Sequence, residues 1–321
     1  MAQSALFLDQ TESQRRQAID AETVFLAWRA ARKAAAEVRG SMLWRELRGK
    51  PTLIRTSASG AQKSLGPRSD ATQAMFDSFM ARKASTHERL QSLKAQLVTQ
   101  QRLNKALRVG RVPNVVVDVI NALDNIGVQD HFLVVGTHAL YAYESAAGVR
   151  ITEEAMATRD VDMLFDTRKR IAFFTALKKL DSSLIGVLRK ADRSFEVVQD
   201  QHYTARNKDG FEVDIIRRNA RDDDPHPLRM SDDEDDFWAV QVTMGEKLQS
   251  ARRLDQVVVA TSGEMALMRT VHPLDFARIK HSLAQQSGRD PRKRGKDALQ
   301  ARVVTELVEQ CLPHLLPSNA P

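Results

Sequence analysis

Three aspartates carry the most specific chemistry in the sequence: Asp160 and Asp162 in the run Arg159–Phe165, and Asp214 in Phe211–Arg217. Residues two apart in a strand project from one face. Asp160 and Asp162 therefore stand side by side while Val161, Met163 and Phe165 face the core. Adjacent carboxylates repel, and one pKa rises unless a cation lies between them. Magnesium suits such a pair, being a hard ion that takes oxygen ligands and often arrives with substrate phosphates. Asp214 obeys the same parity, opposite the apolar face of Phe211, Val213 and Ile215. If the two strands are neighbours, the three carboxylates converge. With two divalent ions they form a clamp for in-line phosphoryl or nucleotidyl transfer.

Gly136-Thr137 supplies the complementary half, between the apolar strand His131–Val135 and the helix His138–Ala147. Exposed N–H groups at a helix N-terminus bind phosphate. Glycine lets the backbone approach a ligand closely, and Thr137 adds a hydroxyl.

The order of strand, glycine turn, helix, Asp-x-Asp strand and Asp-bearing hairpin resembles the nucleotidyltransferase superfold, the polymerase-beta-like fold. The phrase VVGTHALYAYESAAGV…ATRDVDMLFD is similar to the branch called nucleotidyltransferase group 8. Supporting residues are Lys63-Ser64-Leu65-Gly66-Pro67-Arg68-Ser69, Gly110-Arg111-Val112-Pro113, and Pro273–Leu283 followed by Arg289-Asp290-Pro291 and Lys293-Arg294. The resemblance spans roughly residues 40 to 312. A more distant resemblance is to the AbiEii-type toxins. The turn here is Gly-Thr where the superfold usually has Gly-Gly or Gly-Ser, and the gap from Gly136 to Asp160 is longer than its norm. The resemblance implies a mixed sheet flanked by helices, with Asp160, Asp162 and Asp214 as metal ligands. It further implies that Asp214 takes the proton of an attacking hydroxyl, that Gly136 and Thr137 hold a nucleoside triphosphate, and that Lys280 contacts its phosphates.

The elements that must position these residues fall into two textures. Residues 11–39 read as a helix, Met42–Leu47 as a short helix, and Thr52–Ser57 and Gln62–Leu65 as strands about Ala58-Ser59-Gly60. A second long helix spans Asp70–Arg108, with Asp70 as its N-cap. From Asn114 the pattern becomes α/β. Helices are expected over Val115–Asn125, Lys169–Leu180, Pro273–Gln285 and Lys296–Gln310, the last two separated by the basic loop GRDPRKRGK. Tyr203–Asn207 and Phe211–Arg217 form a hairpin across Lys208-Asp209-Gly210, whose Asp-Gly favours a tight turn. Asp222–Asp236 reads as an exposed acidic loop and Val257–Ala260 as a strand. The expected fold is α/β (α+β), a nucleotidyltransferase-like mixed sheet flanked by helices, with a helical N-terminal module carrying a β-hairpin. The expected domains are residues 1–113, the core 114–265 and C-terminal helices 266–321.

Composition narrows the function classes. The 321 residues hold 48 Lys+Arg against 41 Asp+Glu. Residues 1–113 hold 20 basic and 9 acidic residues, whereas the remainder holds 28 and 32. A basic N-terminal part points to a polyanionic partner, and RNA is the acceptor it favours. The single cysteine, Cys311, excludes an intramolecular disulfide and a cysteine-rich zinc module. No run of 18 apolar residues occurs, and the N-terminal segment lacks the basic-then-apolar order of a signal peptide. No membrane partner and a cytoplasmic location are expected. His131, His138 and His202 lack metal-ligand spacing and read as a strand start, a helix surface and a hairpin residue. Tyr141 and Tyr143 read as core. Lys63, Arg68 and Arg111 either meet a triphosphate or acceptor or cap helices.

The expected function is magnesium-dependent transfer of an NMP from an NTP to a hydroxyl of RNA, protein or a small molecule, with two magnesium ions. The alternative is a non-catalytic nucleotide- or nucleic-acid-binding protein, or a toxin–antitoxin component, on the same fold. Retention of all three carboxylates favours the enzyme. The base, the acceptor and the oligomeric state are left open by the sequence.

Overall fold

The computed structural model describes residues 6–221 and 224–317. The chain forms two compact units, one of Arg16–Leu107 and one of the remaining described residues. In chain order, β1 (Phe7–Asp9) and α1 (Glu12–Glu37) precede a three-stranded meander of β2 (Ser41–Leu47), β3 (Lys50–Thr56) and β4 (Gln62–Pro67). The long α2 (Asp70–Ala106) follows. Next come α3 (Asn114–Asn125), β5 (Phe132–Val135), α4 (Ala139–Ala147), β6 (Val149–Ile151), α5 (Glu153–Met156) and β7 (Asp160–Phe165). After these lie α6 (Arg170–Lys179), α7 (Leu184–Ala191), β8 (Glu196–Val198), β9 (Gln201–Arg206) and β10 (Glu212–Arg217). The remaining elements are β11 (Leu228–Arg229), β12 (Trp238–Gln241), α8 (Gly245–Ser250), β13 (Arg253–Val259), β14 (Met265–Val271), α9 (Pro273–Ala284) and α10 (Pro291–Cys311).

In the smaller unit, α1 and α2 contain no Gly or Pro, so nothing interrupts their hydrogen-bond ladders. Gln17, early in α1, donates to Gln100 (2.7 Å) and Asn104 (3.0 Å), late in α2, so the helices run antiparallel. The N-cap of α2 is Ser69 rather than Asp70: Ser69 and Thr72 bond each other's backbone N–H in a reciprocal capping box. Met42–Leu47 is a strand, not a helix. Its pairing with β3 is set by a two-residue turn, Arg48-Gly49, with both φ angles positive (52° and 70°), the geometry that suits a tight hairpin. Trp44 then lies over Phe76 of α2, ring centroids 6.0 Å apart.

The larger unit is built on a mixed sheet, order β11-β12-β10-β7-β5, with β9 also on β10 and β8 on β9. β10 runs parallel to β7 and β12, and β5 runs antiparallel to β7. β5 is buried along its whole length, which explains its unbroken apolar run. Phe132 of β5 and Phe165 of β7 each pack edge against face on Phe173 of α6. Tyr143 is fully buried, and its hydroxyl donates to the Val271 carbonyl (2.8 Å), so its core role holds. Among the described residues, no helix is long and apolar enough to cross a membrane.

Several boundaries differ from the sequence reading. α10 begins at Pro291 inside the expected basic loop, because Asp290 accepts from the Arg292 N–H (2.7 Å) and proline suits the first helical position. Residues 222–223 of the expected acidic loop lie outside the described residues. The rest is not simply exposed: it contains β11, and buried Asp236 accepts from the N–H groups of Leu184 (2.7 Å) and Ile185 (2.8 Å), starting α7. His138 is buried, not on a helix surface.

Candidate active site

The carboxylate cluster is a product of register. β7 and β10 are parallel, and Asp162 pairs directly with Asp214, Asp160 with Glu212. Paired residues share a face, so Asp160, Asp162 and Asp214 project together. One carboxylate oxygen from each lies within 4.8 Å of the others, and the three could hold a metal ion. Each is half-buried.

Local bonds orient the group. Thr158 donates its hydroxyl to Asp160 Oδ1. Thr204 of β9, paired opposite Asp214, donates to Asp214 Oδ1 (2.6 Å). Burial pushes the Asp162 pKa up to about 7, reinforced by the charges of Asp160 and Asp214 and opposed by Lys280 and Lys293. Asp214 is also raised, chiefly by burial, with the Thr204 bond opposing. Crowded oxygen donors, with Asp162 and Asp214 raised, are the donor set a hard cation stabilises.

Gly136 closes this cluster. It follows Val135, which pairs with Asp162, and it holds a positive φ of 65°. A Cβ built there would overlap Asp162 Oδ2, so glycine is required both by the backbone and by the carboxylate beside it. The chain then makes a 3-10 turn, Gly136–His138, into α4. Thr137 is buried, and its Oγ1 accepts from Gln300 (3.1 Å). His138 packs edge-on to Phe211, and burial lowers its pKa to about 4, keeping the ring neutral.

Lys280 sits on α9, its Nζ 2.9 Å from the buried Asp297 carboxylate, and its charge reaches Asp162. Arg111 is not at the cluster. Its guanidinium forms a two-pronged ion pair with buried Glu144 (3.0 and 2.6 Å). Arg68 lies over Trp44 in the smaller unit, 5.4 Å from the ring centre. The sequence reading gave no site role to Thr158, Thr204, Lys293, Lys296 or Gln300. Thr204 pairs opposite Asp214 in the β9–β10 hairpin and could have been found from the hairpin register, whereas Thr158 lies before β7. The α10 residues carry no local signal.

A family model described as nucleotidyltransferase matches residues 114–320. No curated protein and no solved structure matches the chain. The match covers most of the chain and contains the glycine turn and all three clustered aspartates, which makes this protein a member of that nucleotidyltransferase family.

Proposed function

We propose that the protein is a magnesium-dependent nucleotidyltransferase that moves an NMP from an NTP to a hydroxyl acceptor. The observation that carries this reading is the convergence of Asp160, Asp162 and Asp214 on one face of the sheet. These three side chains would hold two magnesium ions, whose chemistry is to neutralise charge on the phosphates and activate the attacking oxygen. The backbone N–H groups of the Gly136-Thr137 turn would bind triphosphate oxygens, and Lys280, paired with Asp297, would add positive potential from a distance.

The acceptor oxygen bonds to the α-phosphorus as the bond to pyrophosphate breaks. Asp214 takes the acceptor's proton at Oδ2, since Oδ1 already accepts from Thr204. RNA is the acceptor favoured by the 20 basic against 9 acidic residues in 1–113.

The test has two parts. Thermal unfolding with each NTP should show stabilisation that requires magnesium. Incubation with labelled NTPs and total cell extract should then label one macromolecular class, and D162N should abolish that labelling. Absence of any magnesium-dependent shift would turn the reading towards the non-catalytic alternative.

A further inference from the structure

One face of α10 runs along the glycine turn and the segment that leads into Asp160. Lys293, Lys296 and Gln300 are separated by three and four residues, which places them on a single helical face. Gln300, fully buried, donates to Thr137 Oγ1 (3.1 Å) and to the Ala155 carbonyl (2.7 Å). One turn earlier, Lys296 Nζ donates to the Ala157 carbonyl (2.7 Å), three residues before Asp160. One further turn back on this face is Lys293. The stripe therefore runs from the glycine turn to the segment that leads into Asp160.

Lys296 and Lys280 differ in how the fold treats their charge. Asp297 accepts from both Lys280 and Arg289, so the Lys280 charge is compensated inside the protein. Lys296 is half-buried, and among the described residues its hydrogen-bond partner is a carbonyl rather than a carboxylate. Burial lowers its pKa first and Lys280 adds to that, while Asp160, Asp297 and Asp162 oppose. A partly desolvated ammonium whose bonded partner is a carbonyl, with carboxylates acting on it only from a distance, gains from an anion brought by a ligand. An ammonium has three N–H donors, of which the Ala157 bond uses one.

Resting on the transferase reading, we propose that Lys296 is a phosphate-binding residue for the nucleoside triphosphate, placed on α10 opposite the Gly136-Thr137 turn. Its bond to Ala157 holds the side chain against the loop that delivers Asp160, and its other donors serve phosphate oxygens. Lys293, exposed on the same stripe, lies at the outer end of this wall.

The probe is inorganic tripolyphosphate with magnesium chloride, titrated calorimetrically into the full chain and into K296Q and K296R. Glutamine keeps an N–H donor for the Ala157 carbonyl but removes the charge, whereas arginine keeps the charge. A charge-assisted bond is worth roughly 1.5–3 kcal/mol, so K296Q should bind about tenfold or more weakly. K296R should bind within about threefold of wild type. A K296Q affinity equal to wild type overturns the assignment, and so does a K296R as weak as K296Q. A second measurement needs no variant: acylation of Lys296 in the wild type, read by mass spectrometry, should slow when tripolyphosphate is present. Unchanged acylation while the ligand binds overturns the proposal. Failure of the wild type to bind tripolyphosphate at all overturns this proposal and the transferase reading together, whereas wild-type binding with an unaffected K296Q sinks only the lysine.

Discussion

Gly136 lies so close to Asp162 that the carboxylate Oδ2 occupies the space a Cβ on Gly136 would take. The glycine turn and the Asp160–Phe165 strand are thus a single constellation, joined through the pairing of Val135 with Asp162. G136A should both strain the backbone at its positive φ and displace the carboxylate. The expected loss is about 1–2 kcal/mol of stability, read by denaturant unfolding, with weaker magnesium binding by calorimetry. Unchanged magnesium affinity would show that the contact does not set the ligand geometry.

The raised pKa of Asp162 predicts how the metal-free protein responds to pH. Burial, then Asp160 and Asp214, hold this carboxyl at about 7 in the folded state, against an ordinary value near 3.9. The folded state therefore keeps its proton more tightly than the unfolded chain. Stability from this group is full below about pH 4 and falls as pH rises towards about 7. Unfolding in chelator across that range should show the decline, and D162N should flatten it. Magnesium affinity should rise over the same window, because the cation must displace the proton. A profile identical in wild type and D162N would remove Asp162 as its source.

Arg111 has a structural role that its position in the sequence did not disclose. Glu144 is buried and accepts two bonds from Arg111 and one from the Ile151 N–H (3.1 Å). R111M would leave that carboxylate without its cation, at an expected cost of about 3–5 kcal/mol. Denaturant unfolding measures the loss, and NTP-dependent labelling per folded molecule should persist. A stable R111M with selectively lost NTP binding would return Arg111 to the site.

Charge in the smaller unit bears on the acceptor. Arg16–Leu107 holds 17 basic and 7 acidic residues, and Arg48, Lys50 and Lys63 are exposed on its meander. If RNA is the acceptor, its affinity should fall steeply with salt. The triple variant R48E/K50E/K63E should weaken RNA binding more than NTP binding, measured by filter retention and calorimetry. RNA affinity that ignores salt would move a protein or small-molecule acceptor ahead.

By itself the sequence determined what repeats locally. Alternation in Asp160–Phe165 and Glu212–Arg217 assigned each aspartate to a face, because a strand's side-chain period is set by its own backbone. Uninterrupted helical composition marked α1 and α2 for the same reason. Local texture misled where a partner decided the outcome: Met42–Leu47 is a strand because a two-residue turn folds it onto β3. Tertiary structure alone decided that β7 and β10 are adjacent and in register, which turns two parities into one cluster. It alone brought α10 alongside, with Lys296 and Gln300 bonded to residues about 140 to 160 positions earlier. Such contacts follow from packing the faces of distant elements, and nothing in a local window encodes which faces meet.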